Sequence, residues 1–164
     1  NELNSWDSQG RVALHYAAEQ RDKKWASLVE TLLELGADPE IRSYDGWTPL
    51  HSAANSMNTY SCGALLVHGN AKVDAMTYHC YTPLHFASRK CHVPTMKLLI
   101  RHKANCNAIN NWNQTPLEMS LAKQSETSDE DNKQAQKLLI RHGGLIGSDV
   151  QKKVRDELIE ELRS

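Results

Sequence analysis

Two kinds of apolar segment alternate along the chain. The first kind is short and rich in alanine, as in LHYAAEQ, LHSAANS and LHFASRK, and turn signals such as Gly10, Gly46 and Asn113 precede it. The second kind is more apolar, as in LVETLLELG, GALLVHG and MKLLIRH, and ends in glycine or a basic residue. Thr-Pro before the first segment suits a helix N-terminus, because threonine can cap it and proline needs no N–H there. The pattern therefore predicts pairs of antiparallel helices joined by turns.

The helix pairs recur at a nearly constant period. A leucine marks each tetrad of the type Val-Ala-Leu-His, Thr-Pro-Leu-His or Thr-Pro-Leu-Glu, and the intervals between successive leucines are 36, 34 and 33 residues. These leucines are Leu14, Leu50, Leu84 and Leu117. The hexapeptide KLLIRH also occurs twice, at 97–102 and 137–142. Since a unit of this size cannot bury its apolar face alone, the units are expected to stack into a solenoid.

The combination of a turn, Thr-Pro-Leu-His, Ala-Ala, Leu-Leu, Gly-Ala and Val-Asn/Asp-Ala at a period of about 33 residues resembles the ankyrin repeat. The stretches GWTPLHSAA and TPLHFAS, with LLVHG and LLIRHKANCNA after them, are close to the family pattern. Two units depart from it, because Val12-Ala13 replaces Thr-Pro in the first and Glu118 replaces histidine in the fourth. The resemblance implies an all-α ankyrin-repeat solenoid in a single domain, residues 1–164. Its units are expected at about 7–42, 43–76, 77–109 and 110–144.

Departures from the period predict local irregularities. The first unit has three additional residues between its helices, around RDKKW, and the fourth has seven in KQSETSDEDNKQ. Because the second insertion is acidic and rich in serine and threonine, we expect a mobile loop there. Residues 148–163 combine a capping-box pattern with an apolar residue at every fourth position, which predicts a helix that covers the end of the stack. At the other end, NELNSW fits the tail of a preceding unit, so we expect the natural protein to continue upstream.

The repeated histidine is interpreted as a structural residue. Neighbours among His15, His51 and His85 should be separated by one layer of helices, about 8–10 Å. A shared zinc ion needs each ligand atom within about 2 Å. In the ankyrin family this histidine pairs with the threonine of the turn, and the resemblance implies the same role here. The Cys91–His92 pair near Cys80 matches no metal-finger spacing. The sequence therefore predicts no catalytic residue, no metal and no cofactor.

Composition narrows the classes of partner. The chain has 164 residues, and its 19 basic and 20 acidic residues give a net charge of −1, which argues against a nucleic-acid partner. Its apolar runs are too short for membrane insertion. The four cysteines form no C-x-x-C pair, so we expect reduced thiols and an intracellular location, in the cytoplasm, the nucleus or both. We also expect the domain to be monomeric on its own.

Bulky aromatic residues mark the tips of the predicted hairpins, SYDGW, TYHCY and INNWNQ. Aromatic residues are enriched in the energetically dominant parts of interfaces. Tyr44, Tyr78 and Trp112 are expected to project furthest. Trp47 and Tyr81 directly precede Thr-Pro, so interface contact and packing on a neighbouring turn are equally good interpretations for them.

The predicted function is binding of a protein or peptide partner in the groove between the tips and the inner helices. The resemblance places Glu19, Asn55 and Arg89 on the inner helices facing that groove. The outer helices are expected to be mostly charged on their exposed side, with Glu30 and Arg101 among the charged residues.

Two alternatives remain open at this point. The tip aromatics could form a cage for a modified lysine of a peptide, built from Trp47, Tyr78, Tyr81 and Trp112 with Asp45. The chain could also be the targeting arm of a larger enzyme or effector.

Two residues are candidates for covalent modification. Asn107 lies in CNA with Leu99 eight residues upstream, which resembles the setting in which an asparaginyl hydroxylase modifies ankyrin domains. Ser128 precedes DED, a context that acidophilic kinases accept.

Overall fold

Paired helices make up the structure, a computed structural model that describes residues 2–122, 128–146, 156 and 159–161. In this part of the chain a short 3-10 helix, Glu2–Asn4, precedes eight α-helices, and no strand occurs. The pairs are α1 (Ala13–Glu19) with α2 (Lys23–Glu34), α3 (Pro49–Asn55) with α4 (Thr59–Val67), α5 (Pro83–Arg89) with α6 (Val93–Arg101), and α7 (Pro116–Leu121) with α8 (Asp129–Arg141). None of these helices is long and apolar enough to cross a membrane.

The helices form two layers, as expected for a solenoid of stacked units. Helices α1, α3, α5 and α7 contact one another in series as an inner layer, and α2, α4, α6 and α8 do so as an outer layer. The leucine of every tetrad is fully buried between the layers: Leu14, Leu50, Leu84 and Leu117. The predicted all-α solenoid is therefore confirmed.

The projecting turns close by a repeated pair of backbone hydrogen bonds. In the second turn, Ser43 N–H donates to Trp47 O at 2.8 Å and Gly46 N–H donates to Ser43 O at 2.8 Å. The fourth residue of every turn has a positive φ, at 71° for Gly10, 78° for Gly46, 60° for Cys80 and 58° for Asn113. A Cβ on Gly46 would also lie 2.7 Å from Tyr78 N, so only glycine fits there. The turns are hairpin-like without being strands.

A ladder of hydrogen bonds joins the loops that follow the outer helices. In each, a side-chain oxygen of one loop accepts the backbone N–H of the next loop, at 2.7–3.0 Å. The acceptors are Asn4, Glu40, Asp74 and Asn107, and the donors are Asp38, Lys72, Asn105 and Leu145. The acceptors repeat at the same intervals as the buried leucines, so Asn4 occupies the position of a unit's tail.

The predicted longer connection in the first unit is wrong. Three residues, 20–22, separate α1 from α2, and three residues, 56–58, also separate α3 from α4. Helix α2 instead has 12 residues where α4 has 9. The additional residues therefore lengthen the outer helix, because a helix can add turns at its solvent-facing end without disturbing the stacked layer beside it.

The predicted mobile loop in the fourth unit is wrong for its second half. DEDNKQ forms the first half of α8, which has 13 residues where α6 has 9. Ser128 caps this helix by accepting the Asp131 N–H at 3.1 Å, and the acidic first turn suits the positive end of the helix dipole. Residues 123–127 lie outside the described residues. So does most of the predicted end helix at 148–163, of which only 156 and 159–161 are described, as helical residues.

Candidate functional site

The repeated histidines connect each helix cap to the next projecting turn. His51 Nδ1 accepts from Thr48 N–H at 3.1 Å and lies 2.9 Å from the Thr48 hydroxyl, while its Nε2 donates to Tyr81 O at 3.0 Å. His85 makes the corresponding bonds to Thr82 and to Gln114 O. Both ring nitrogens are thus used within the fold, and the predicted pairing with the threonine of the turn is confirmed.

Burial keeps these histidines neutral. Desolvation lowers the pKa of His51 to about 4, and it also lowers the pKa values of His15 and His85 below the ordinary value. A neutral imidazole with one N–H is the form that can accept at Nδ1 and donate at Nε2 at the same time. The role of these side chains is therefore structural: each links its own helix cap to the next unit by hydrogen bonds.

Glu118 replaces the histidine of the fourth unit with a different bonding scheme. Its Oε2 accepts the Thr115 N–H at 2.7 Å, as Nδ1 does in the other units. A carboxylate has no hydrogen to donate, so Glu118 cannot donate to the following segment as histidine Nε2 does. The Thr115 hydroxyl makes this connection instead, because it donates a hydrogen bond to Leu145 O at 2.7 Å. The departure from the repeat pattern preserves both connections.

The predicted tip residues project into solvent. Tyr44 is 63% exposed, Tyr78 is 62% exposed and Trp112 is 57% exposed. The two tyrosines also rest on the preceding turn, because a Cβ on Gly10 would lie 2.6 Å from Tyr44 Cδ1 and one on Gly46 would lie 3.0 Å from Tyr78 Cγ. Each ring therefore keeps one contact with the fold and leaves most of its surface open.

Trp47 and Tyr81 are half-buried and belong to a row of ring contacts. The Trp47 and Tyr81 ring centroids lie 4.4 and 5.4 Å from that of Phe86, and Trp112 continues the row at 5.7 Å from Tyr81. We call these four residues the aromatic row. Phe86 was not among the predicted site residues, although the tetrad at 82–85 is the one that phenylalanine follows. Trp47 and Tyr81 thus combine packing with partial exposure.

A concave pocket lies between the tips and inner helices of the first two units. Inner-helix and tip side chains meet in it: Gln9, Arg11, Glu19, Ser43, Asp45, Trp47, Ser52 and Asn55. Asn55 in turn accepts a hydrogen bond from Arg89 Nη2 at 2.9 Å, and the Arg89 guanidinium lies 5.3 Å from the Phe86 ring. The predicted groove residues Asn55 and Arg89 are therefore neighbours beside this pocket.

The outer side is less uniformly charged than the sequence suggests. Tyr60 and Val67 on α4 are 57% and 61% exposed, and Leu28 on α2 is 39% exposed. These apolar residues stand among the predicted charged ones. An exposed tyrosine on each side of the stack supplies a matched comparison for binding experiments.

The described residues show no metal cluster, and burial makes two of their thiols less reactive. No group of three or more histidine, cysteine, aspartate or glutamate side chains is placed there to hold a metal ion. None of the four cysteines forms a disulfide, and burial raises the pKa of the Cys62 and Cys106 thiols above the ordinary value. A raised pKa leaves less of the nucleophilic thiolate.

The two candidate modification sites both have structural hydrogen bonds. Asn107 Nδ2 donates to Gly143 O at 3.0 Å and Oδ1 accepts from Leu145 N–H at 2.7 Å. Ser128 Oγ donates to Asp131 Oδ2 at 2.6 Å in addition to capping α8. Both residues are exposed. Modification of either residue stays a prediction.

Incubation with an asparaginyl hydroxylase is expected to add the mass of one oxygen atom to the peptide that contains Asn107. The reason is its exposure in a loop, where an enzyme can reach the side chain. Peptide mass spectrometry checks the result, with Asn107→Ala as the variant that must lose the signal and Asn111→Ala, at an exposed tip asparagine, as the one that must keep it. An unmodified wild-type peptide would contradict the prediction.

Comparison with known proteins assigns most of the chain to repeats. Residues 1–77 match the family described as ankyrin repeats in three copies, and residues 79–111 match a single ankyrin repeat. Human SH3 and multiple ankyrin repeat domains protein 2 is 36% identical over 109 residues, which are 66% of this chain and 6% of that protein. NF-kappa-B inhibitor alpha of Sus scrofa is 32% identical over 111 residues, 65% of this chain and 34% of the relative.

An enzyme also appears among the relatives. NAD-dependent deacetylase sir2B of Dictyostelium discoideum is 39% identical over 67 residues, which are 41% of this chain and 9% of that protein. The chain therefore spans about a third or less of the length of these three relatives.

Proposed function

The chain belongs to the ankyrin-repeat family, and from this membership we propose that it binds a partner protein or peptide in the concave groove between hairpin tips and inner helices. The observation that supports this proposal most strongly is the exposure of Tyr44, Tyr78 and Trp112 along one edge of the stack. Large exposed aromatic rings favour association, because a partner that covers them removes apolar surface from water.

Relatives support a role in protein interaction in general terms. The name of NF-kappa-B inhibitor alpha describes a protein that acts on another protein. The pocket at the first two units adds polar groups beside the exposed rings, the usual combination in a binding surface. None of the four cysteines forms a disulfide, which agrees with a reducing compartment, so we propose an intracellular setting for the interaction.

Tyr78→Ala is expected to weaken partner binding by about 1–3 kcal/mol, the scale of an interface hot spot. The melting temperature should change little, because most of the Tyr78 ring is exposed. The partner is first identified by affinity purification and mass spectrometry, and its affinity for wild type and variant is then measured by calorimetry. Trp112→Ala is expected to act in the same direction.

Tyr60→Ala is the matched control, since Tyr60 is an equally exposed tyrosine on the outer helix α4. It should leave the affinity unchanged, as should Arg101→Glu on α6. If both tip variants keep full affinity while an outer-helix variant loses it, the partner binds the opposite side of the stack.

A targeting role within a larger enzyme is the second candidate. The similarity to a deacetylase supports it, since an ankyrin array of this kind occurs there within a much longer enzyme. Sequencing the full-length reading frame tests this candidate: a frame without an enzyme domain would remove it.

The aromatic cage for modified lysine receives less support. Trp47, Tyr81 and Trp112 lie along the aromatic row, where their rings contact Phe86 or one another. A cage instead needs ring faces that surround one point. Equal affinity for methylated and unmethylated forms of a bound peptide would exclude the cage.

A further inference from the structure

The concave pocket contains a carboxylate that the fold leaves unpaired. Arg11 and Glu19 form an ion pair across it, so their charges offset each other. Asp45, at the tip, is exposed and has no hydrogen bond or ion pair with any described residue. The three charged groups of the pocket therefore leave one net negative charge, which favours a positively charged ligand group.

The aromatic residue Trp47 lines the same pocket as the Asp45 carboxylate. Trp47 lines the pocket together with residues of the first two units, while its ring contacts Phe86 of the third unit at 4.4 Å. Tryptophan is the aromatic side chain that attracts a cation most strongly. The contact with Phe86 holds the ring in place before any ligand arrives.

Arginine is already held by aromatic rings at two places on the same concave side. The Arg11 guanidinium lies 4.2 Å from the Tyr16 ring centroid and pairs with Glu19. The Arg89 guanidinium lies over Phe86 and donates to Asn55. In both cases a planar guanidinium meets an aromatic ring and an oxygen acceptor at once. Trp47 and Asp45 offer that combination, and no arginine among the described residues makes an ion pair with Asp45 or a ring contact with Trp47.

We propose that this pocket is a specificity subsite for an arginine side chain of the partner peptide. The inference rests on the proposed function, because it names the chemistry that the groove recognises. The guanidinium stacks on Trp47 and pairs with the Asp45 carboxylate, and its remaining N–H groups face the polar side chains of Gln9 and Ser43. Arginine is preferred to lysine because its flat, five-donor head can stack and pair simultaneously, whereas an ammonium is a compact charge.

Two synthetic peptide libraries test the subsite. Both are acetylated nonapeptides with mixed residues at every position but the centre, which is arginine in one library and citrulline in the other. Citrulline has nearly the same shape as arginine and no charge. The immobilised chain is expected to retain the arginine library about tenfold better, the combined scale of a cation–π contact and an exposed ion pair. Retained peptides are quantified by mass spectrometry.

Matched variants locate the effect. Asp45→Asn should reduce the preference for arginine to about twofold or less, because the pairing carboxylate is lost. Glu34→Gln removes the same charge from the exposed end of α2 and should keep the preference. Equal retention of both libraries by the wild type, or an unchanged preference in Asp45→Asn, overturns the subsite. The proposed function has its own test in Tyr78→Ala, so a groove that binds without selecting arginine is recognised as such.

Discussion

Leu84→Ala is expected to lower the free energy of unfolding by about 2–5 kcal/mol, the range for removing a buried leucine side chain from a core. Leu84 is fully buried on α5, and this helix contacts the inner helices α3 and α7 on its two sides. Collapse of the neighbouring helices into the cavity would also disturb the stacking on both sides, so the cavity should persist in part. Urea unfolding, followed by circular dichroism, measures the change.

Leu35→Ala serves as the control for this prediction. Leu35 follows α2 directly and is 62% exposed, so its truncation should change the stability by no more than about 0.5 kcal/mol. A loss of that small size at Leu84 would mean that the tetrad leucine is not part of the core in solution. The two variants delete the same atoms, and only their burial differs.

The sequence predicted the fold because its signals repeat. Leu50 and Leu84 lie at the same phase as Leu14 and Leu117, and an error at one tetrad would have conflicted with the other three. The lengths of α2 and α8 could not be predicted in this way, since each insertion occurs once. Additional polar residues beside an outer helix can extend the helix or form a loop, and only the caps at Asp22 and Ser128 decide between these outcomes.

The sequence predicted which tip side chains of the candidate site are exposed, but it did not predict their tertiary contacts. Tyr44 and Tyr78 project because they occupy the second position of a turn, which periodicity reveals. The contact of Trp47 with Phe86 joins residues 39 positions apart in sequence and depends on how two units stack. The unpaired state of Asp45 likewise requires knowledge of every neighbour. Both features belong to tertiary packing, which a period in one sequence does not specify.

Acidification from pH 6.5 to pH 4 is expected to destabilise the protein through its buried histidines. Burial lowers the pKa of folded His51 to about 4 from the ordinary value of 6.5. Between these values the unfolded state binds more protons than the folded state, so the free energy of unfolding falls as the pH falls. His51 alone contributes a slope of up to about 1.4 kcal/mol per pH unit, or roughly 3 kcal/mol over the window. His15 and His85 add to the loss in the same direction.

His51→Gln separates this contribution from that of the carboxylates. Glutamine can bond to the cap but cannot take up a proton, so the pH slope should become smaller between pH 6.5 and 4 even though the stability at neutral pH also decreases. His142→Gln, at an exposed histidine after α8, should keep the wild-type slope. Urea unfolding at a series of pH values gives the slopes, and an identical slope in wild type and His51→Gln would contradict the prediction. The histidine that joins Thr48 to Tyr81 would then bind its proton equally well in the folded and unfolded chain, whereas burial inside the fold disfavours the charged ring.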